Sequence, residues 1–272
     1  MKILVTVKRI PDPEENLEFA GGTIDVSSAK WVPNTFDEYA METALRLAEH
    51  IGGSERLAEV VVLSICPQDQ RQHVTQFLAM GADRAIVVDA TDHELDTVTV
   101  SKTLAAVFQR ENCDLLLVGK LSQDNEGNQV GQRVAALLGL PQATFAATVA
   151  WDRTAKTVTV GREVDDGVET KQIPLPAVVT VDLRVVLPHS VNNGATPNDH
   201  AYQSGPRLAS LRGITLAKKK PVLVLSPQEL GISVTSTEQP AGTTAPPQRK
   251  AGQRVASVEE LIEKLAKEAK VL

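Results

Sequence analysis

The sequence predicts an α/β protein built on an open, mainly parallel sheet. Short runs of apolar and β-branched residues, such as Lys2–Lys8 and Leu115–Val118, alternate with longer segments of helical periodicity. Such runs are typical of parallel strands that are covered on both faces, with helices as the crossover connections. From Phe145 onward the segments alternate and are β-rich, which predicts an antiparallel extension of the same sheet.

Local signals define the elements of the first half. Pro11 and Pro13 end the first strand, because proline has no amide donor for a ladder. Residues 14–33 are irregular, with a short hairpin expected around Gly21 and Gly22. The expected strands are 2–8, 60–65, 84–89 and 115–118, and the expected helices run from Asn34 or Asp37 to near Gly52-Gly53, over 69–80, over 97–112, and onward from Val130.

The second half is expected to form strands first and then loops. The expected strands are 144–151, 157–164, 170–182 and a short one at 221–225, with turns at 152–155 and 165–167. Residues 188–206 and 231–251 are rich in Gly, Pro, Ser, Thr or Asn and predict loops. The last segment, 258–271, predicts an amphipathic helix with Leu261, Ile262 and Leu265 on one face. A second subunit is the simplest surface for that face.

Composition argues against several classes of function. The net charge is −6, and the one basic cluster is Lys218–Lys220, so we expect no nucleic-acid partner. No apolar run approaches the ~18 residues of a membrane span, and the first residues do not resemble a signal peptide. We therefore expect a cytoplasmic protein without a membrane span.

Cysteine and histidine offer no metal or catalytic pattern. The two cysteines, Cys66 and Cys113, adjoin apolar runs and are expected to be small buried side chains in a reducing compartment. The five histidines have no ligand spacing, and we expect all of them at the surface. They are His50, His73, His93, His189 and His200.

The stretch after the fourth expected strand is the most informative part of the chain. The strand ends at Gly119 in a polar loop that contains Gly127, Asn128 and Gln129, and helical spacing resumes at Val130. A strand, such a loop and a helix start bring several backbone N–H groups and a positive dipole end together, which suits a phosphate. The loop has no nucleophile–base pair and no P-loop lysine before a hydroxyl residue. It is expected to bind a nucleotide without cleaving it.

Distant segments are expected to meet this loop in one crevice. In an open parallel sheet, ligands bind beyond the carboxyl ends of the strands where strand order reverses. With the first and fourth strands at that point, the loop after Val5–Val7 meets the loop after Val118, and the segments Ser64–Pro67 and Asn34–Asp37 join them. Structural alternatives remain open: helix capping for Asn34, Asp37, Asn128 and Gln129, and a simple strand-end turn for Gly119.

These stretches resemble the beta subunits of electron-transfer flavoproteins nearly from end to end. The family signature is similar to residues 160–180, although Lys171 stands where an aliphatic residue is usual. The other matching stretches are 2–9, 33–37 (Pro-Asn-Thr-Phe-Asp), 42–47, 78–84 (Leu-Ala-Met-Gly-Ala-Asp-Arg), 119–120, 128–132 (Asn-Gln-Val-Gly-Gln) and 141–145 (Pro-Gln-Ala-Thr-Phe). The resemblance implies a Rossmann-like fold of the adenine-nucleotide-binding type.

The resemblance implies an electron carrier without catalysis of its own. The chain would pair with an alpha subunit that holds most of a shared FAD, and would itself bind a structural AMP. Electrons would pass from acyl-CoA or other flavin dehydrogenases, as in fatty acid oxidation, to a quinone oxidoreductase. The nucleotide contacts carried over are Thr6, Asn34, Thr35, Phe36, Asp37, Ile65, Gly119, Lys120, Leu121, Ser122, Gln123, Asp124, Asn125, Glu126, Gly127, Asn128, Gln129 and Val130.

The resemblance also implies a leucine that docks into dehydrogenases. Leu211 is the matching residue, in a loop ahead of the basic run Lys218–Lys220. Alternatively, Leu211 packs on its own subunit. An insertion at about 185–205 precedes this loop. We accordingly divide the chain into a nucleotide-binding α/β domain (1–186), the insertion with the partner-recognition loop (187–220), and an arm and helix that contact the alpha subunit (221–272).

Two other functions compete with this interpretation. Electron-bifurcating members of the family hold a second FAD in place of AMP and tend to have an Asp after an Asn-Pro-aromatic trio. Asp37 fits that pattern, whereas Thr35 replaces the proline and residues 126–132 are similar to the AMP-binding type. A standalone regulatory nucleotide-binding domain is the second rival, and it would be colourless and without a partner.

Overall fold

The structure is a computed structural model that describes residues 1–20, 22–92, 95–197, 199–234, 236–238, 244, 247 and 251–272. The described strands are β1 Lys2–Thr6, β2 Arg9–Pro11, β3 Glu18–Ala20, β4 Thr23–Asp25, β5 Trp31–Pro33, β6 Glu59–Ile65, β7 Arg84–Val88, β8 Leu115–Gly119, β9 Gln142–Asp152, β10 Thr157–Val164, β11 Gly167–Pro174, β12 Ala177–Val181, β13 Val191–Asn192 and β14 Val222–Leu225. The described α-helices are α1 Thr35–Ala48, α2 Gln72–Met80, α3 Thr97–Glu111, α4 Val130–Leu138, α5 Leu211–Ala217 and α6 Val258–Lys264.

The main sheet confirms the predicted α/β class. Its strand order is β11-β10-β9-β12-β8-β1-β6-β7-β14, and β13 pairs with β9. Leu4 of β1 stands opposite Val61 of β6 on one side and Leu116 of β8 on the other, both in parallel. From β1 the chain runs outward through β6 and β7 on one side, whereas β8 lies on the other side, so the strand order reverses between β1 and β8, the expected switch point.

Helices cover both faces of this sheet. On one face, α1 and α2 bury Met41, Leu45 and Phe77 against β1 and β6. On the other face, α3 and α4 bury residues such as Phe108 and Val134. Since both faces are covered, β1, β6 and β8 are continuous apolar runs without alternation.

The expected strand at 170–182 is in fact two strands with different partners. β11 pairs antiparallel with β10, and β12 lies in parallel between β8 and β9. Pro174 and Pro176 separate the two strands, because a proline has no amide to donate to a ladder. The β9–β10–β11 meander confirms the predicted antiparallel extension.

Two helices differ from the expectation at their ends. α1 stops at Ala48, before Gly52 and Gly53, and the side-chain amide of Asn193 binds the carbonyls of its last turn. The helix expected from Asp69 is a 3₁₀ turn, Gln68–Gln70, followed by α2. The hairpin expected near Gly21 is formed by β3 and β4, although Gly21 itself lies outside the described residues.

The histidine prediction is wrong for His73. Its ring is buried, and its Nε2 lies 2.7 Å from the Ser64 hydroxyl. Position 73 falls on the inner face of α2, which periodicity could have shown. His189 is exposed, whereas His93 lies outside the described residues. Both cysteines are buried free thiols, and burial raises the pKa of Cys113 to about 12.

The C-terminal region contributes one strand and one exposed helix to the described structure. β14 pairs in parallel with β7 at the sheet edge. α6 leaves Leu261 and Ile262 exposed and continues into a π-helical turn, Leu265–Ala269. Among the described residues, no helix has the length and apolar character needed to cross a bilayer.

Candidate functional site

A cavity of about 770 Å³ opens at the carboxyl ends of β1, β6 and β8. This volume is within the usual range for small-ligand sites. Its walls bring together Thr6, Ile65 and the loop after β8, as the strand order requires. The other expected residues that line it are Asn34, Asp37, Gly119, Lys120, Leu121, Ser122, Gln123, Asp124, Asn125, Gly127, Gln129 and Val130. Four expected residues are not among those that line it: Thr35, Phe36, Glu126 and Asn128.

Asp37 ties the ends of β1 and β8 together. Its side chain is only 4% exposed, and its Oδ2 accepts the Lys8 N–H at 2.8 Å. Its Oδ1 accepts the Gly119 N–H at 3.3 Å. Burial raises the pKa of this carboxyl from 3.8 to about 7, against the opposing effect of the two amides. Asp37 therefore holds the residues that follow β1 and the end of β8 in place at the cavity wall.

Asn34 plays a similar part for the loop after β8. Its Nδ2 donates to the Leu121 carbonyl at 2.9 Å, and its Oδ1 accepts the Gln123 N–H at 3.1 Å. Helix capping therefore does not account for its side chain, although α1 begins at the next residue. The Gln123 side chain in turn accepts the Thr35 N–H at 3.2 Å. Asn34 and Gln123 thus fix the loop and the start of α1 to each other.

The N-terminus of α4 lies at the wall of the cavity. Its first backbone hydrogen bond runs from the Arg133 N–H to the Gln129 carbonyl at 2.9 Å. The N–H groups of the preceding residues are therefore not used by the helix itself. Gln129 and Val130 line the cavity, so the start of α4, with its positive dipole end, lies at the cavity wall.

Side chains of the loop mostly bond one another. The side-chain oxygen of Asn125, Oδ1, accepts the Gly127 N–H at 2.9 Å and the Ser122 hydroxyl at 2.7 Å. Asn128 accepts the side-chain amide of Gln132 one turn into α4 at 2.8 Å. The loop is thus ordered by its own amides, and its backbone is the part left to meet a ligand.

Sequence reasoning missed a charged wall opposite the loop. Arg9 is 6% exposed, its guanidinium lies 4.0 Å from the centre of the Trp31 ring, and it pairs with Asp92. Its Nε has no hydrogen-bond partner among the described residues. Lys8 closes the rim by an ion pair with Asp124 at 2.5 Å. The position of Lys8 and Arg9 directly after β1 was the available signal, since the fold argument had placed the loop after Val5–Val7 at the crevice.

Neither a metal-ligand cluster nor an accessible Ser–His pair lies at the cavity among the described residues. Among the described residues, no three His, Cys, Asp or Glu side chains are grouped as metal ligands. Ser64 and His73 form a Ser–His pair near the cavity, but both are buried, and the Ser64 hydroxyl also bonds the Val7 carbonyl at 2.8 Å. A substrate cannot reach that hydroxyl without opening the core.

A second candidate site is the segment that carries Leu211. Leu211 is 86% exposed and Leu208 is 93% exposed, so neither packs on this chain. Ser210 caps α5 by accepting the Gly213 N–H at 3.0 Å, which places Leu211 at the first position of the helix. The insertion is partly buried at its start, where Val185 and Val186 join the core.

Comparisons with known proteins relate the chain over its whole length to one family. Residues 21–229 match the electron transfer flavoprotein domain family. The chain is 40% identical to the mitochondrial electron transfer flavoprotein subunit beta of Arabidopsis thaliana, over all of both chains. It is also 40% identical to the subunit beta of Bradyrhizobium diazoefficiens, again over all of both chains. The human subunit beta is 36% identical over 97% of this chain and 96% of its own.

Proposed function

Because this chain belongs to the electron-transfer flavoprotein beta subunit family, we propose that it pairs with an alpha subunit and binds AMP between β1 and β8. The observation that carries this proposal is the cavity at the switch point, with the free amides of α4 at its wall. An adenine nucleotide needs an anion cradle and an apolar wall. Val130 and the backbone before it supply the first, and Ile65, Val100 and Leu104 supply the second.

The residues of the cavity fit AMP as a structural ligand. The loop after β8 is held by Asn34 and Asp37, so its amides are positioned before a ligand arrives. A ligand that binds only the folded chain stabilises it by mass action. When bound mainly to the alpha subunit, FAD would supply the redox chemistry, and the cavity described here would not contact substrate.

The electron-transfer role is the second part of the proposal. The heterodimer would accept electrons from flavin dehydrogenases, such as acyl-CoA dehydrogenases, and deliver them to a quinone oxidoreductase. Exposed Leu211 supports this role, because a protruding leucine fills a pocket of a transient partner at low cost in buried area. The chain itself would be a carrier subunit and not an enzyme.

The arm is proposed to contact the alpha subunit. α6 exposes Val258, Leu261 and Ile262, which leaves an apolar face without a partner among the described residues. Co-expression with an alpha subunit, followed by co-purification and a visible spectrum, tests this assignment. A yellow heterodimer is expected. A colourless chain that stays alone would instead support a standalone nucleotide-binding domain.

A bifurcating subunit with a second FAD in the cavity is the alternative. One observation favours it: the cavity extends from the phosphate-binding end to Arg9 and Trp31, and further to Leu17, Ile24 and Val26. Extraction of nucleotides from the purified heterodimer separates the two. One flavin and one AMP per heterodimer support the proposed carrier. Two flavins without AMP would overturn it in favour of the bifurcating type.

A further inference from the structure

A buried charge cluster joins α1 to the docking segment, which we define as residues 206–211. Arg46 and Glu42 lie one turn apart on α1, and the Arg46 Nε donates to Glu42 Oε1 at 2.8 Å. Arg207 donates from Nε to Glu42 Oε2 at 2.7 Å and also pairs with Glu49. Although burial opposes ionisation, the hydrogen bonds from Arg207 and Arg46 hold the pKa of Glu42 below its usual value. The second residue of the docking segment is thereby fixed to α1.

The same cluster closes the insertion at its base. The Arg46 guanidinium lies 4.7 Å from the centre of the Tyr202 ring. Its two terminal nitrogens donate to four carbonyl oxygens, two from each end of the insertion. These are Val186 at 3.2 Å, Leu187 at 2.8 Å, Gln203 at 2.7 Å and Gly205 at 3.4 Å. One side chain therefore holds both ends of the loop, so the insertion does not lengthen the path to the docking segment.

The other end of the docking segment is fixed to α2. α5 lies so close to α2 that a Cβ added at Gly213 would be 2.3 Å from the Ala79 carbonyl oxygen. Lys220, shortly after α5, donates to the Leu78 carbonyl at 2.9 Å and to the Ala82 carbonyl at 2.5 Å. The exposed residues Leu208 and Leu211 thus lie on a short span between two anchored points.

We propose that Arg207 is a positioning residue for partner recognition, which rests on the proposed docking role of Leu211. By pairing with Glu42 and Glu49, Arg207 holds the span in one arrangement before a dehydrogenase arrives. An exposed leucine on a free loop would have to be ordered on binding, whereas a fixed leucine avoids that entropic cost. The pairing of Arg207 with Glu42 and Glu49 therefore raises affinity for the dehydrogenase without contacting it.

The experiment uses the complete heterodimer and an acyl-CoA dehydrogenase that reduces the unmodified protein. Steady-state KM and kcat are measured for Arg207→Ala, Arg207→Lys, Leu211→Ala and the double variant Arg207→Ala with Leu211→Ala. Leu211→Ala is expected to raise KM about tenfold with little change in kcat, as for loss of an anchor side chain. Arg207→Ala is expected to raise KM severalfold, and Arg207→Lys to recover part of the loss, since lysine keeps the charge but not the planar fork.

Arg84 provides the matched control for loss of an arginine between two carboxylates. It pairs with Glu59 at 2.7 Å and with Glu111 at 2.5 Å, at the amino ends of β6 and β7 and without contact to the docking segment. Arg84→Ala is expected to lower thermal stability but to leave KM unchanged. If Arg84→Ala raises KM as much as Arg207→Ala, the effect is general destabilisation and the positioning role is excluded.

The double variant separates failure of this inference from failure of the docking proposal. If Arg207 acts by placing Leu211, its removal adds little once Leu211 is alanine, so the double variant matches Leu211→Ala. Fully additive effects would overturn the positioning role while leaving the docking role intact. An unchanged KM in Leu211→Ala would overturn the docking proposal itself. Faster amide hydrogen exchange at residues 208–211 in Arg207→Ala is the expected structural signature.

Discussion

Asp37 Oδ1 accepts the Gly119 N–H at 3.3 Å, which joins the first turn of α1 to the last residue of β8. The approach is so close that a Cβ at position 119 would lie 2.5 Å from this oxygen and 2.7 Å from the Phe36 Cβ. A glycine is therefore required where the strand passes the helix. The cavity depends on this contact, because the loop that lines it starts at the same residue.

Gly119→Ala is expected to destabilise the chain and to weaken nucleotide retention. Displacing the start of α1 to admit a methyl group costs about 1–3 kcal/mol, as for other overpacked sites. Thermal unfolding and nucleotide extraction from the heterodimer measure the two effects. Gly252→Ala is the control, since a Cβ at that position meets nothing within 4 Å. A Gly119→Ala protein as stable as the control would show that the close approach does not exist.

Asp37→Asn is expected to remove a pH dependence of stability. The folded-state pKa of Asp37 is raised from 3.8 to about 7, so its neutral form is the one that folding favours. The stabilisation from that form is complete below about pH 4 and is lost as pH rises through about 7. The free energy of unfolding of the unmodified chain should fall relative to that of Asp37→Asn across this window.

Urea unfolding at several pH values measures that difference. The variant also replaces one acceptor oxygen by an amide, which costs about 1–3 kcal/mol at a buried site. If the free energy of unfolding of the unmodified chain instead rises relative to that of Asp37→Asn as pH increases, the Lys8 and Gly119 amides stabilise the carboxylate more than burial destabilises it.

The unmodified chain is expected to lose stability in weak acid because of His73, and His73→Gln is expected to abolish that loss. Burial lowers the pKa of His73 from 6.5 to about 4, so the folded chain keeps the ring neutral while the unfolded chain takes up a proton. Its contribution is present above about pH 6.5 and is lost as pH falls toward 4. Unfolding at pH 7.5 and at pH 5 gives the comparison. His189→Gln is the control. Because His189 is exposed, this variant should keep the pH dependence of stability of the unmodified chain.

Asn193→Ala is expected to destabilise the join between α1 and the insertion. Its side-chain amide donates to the carbonyls of Arg46 at 2.9 Å and Glu49 at 2.6 Å, near the C-terminal end of α1. Leaving buried carbonyls unpaired costs about 1–3 kcal/mol. Asn192→Ala is the neighbouring control, because Asn192 is exposed and accepts one amide of its own turn. Equal unfolding midpoints in the two variants would contradict the proposed role of Asn193.

The sequence alone was sufficient for the parallel half of the fold. The strands near β1, β6, β7 and β8 were placed within a residue or two, because residues buried on both faces must be apolar throughout. The switch point at β1 and β8 followed from the same pattern. The loop after Gly119 was predicted to bind a ligand because its composition suits free backbone amides, and in the structure it lines the cavity.

Tertiary structure decided what local patterns could not contain. Whether Asn34 caps its helix or bonds the loop depends on Leu121 and Gln123, which are far away along the chain. The division of 170–182 into β11 and β12 depends on which strand each half meets. Arg46 is the clearest case. An arginine on a helix is usually exposed, whereas Arg46 is buried and donates to carbonyls of the insertion.

The sequence by itself determined the strands around the site, because these follow from residue type and periodicity, and its resemblance to one family pointed to that family and to the residues expected at the cavity. The three-dimensional packing alone decided which polar groups were used up within the protein and which stayed free. The physical reason is that a buried hydrogen bond or ion pair needs both partners in place. In this chain the partners are often more than eighty residues apart, as with Asp37 and Gly119 or Glu42 and Arg207.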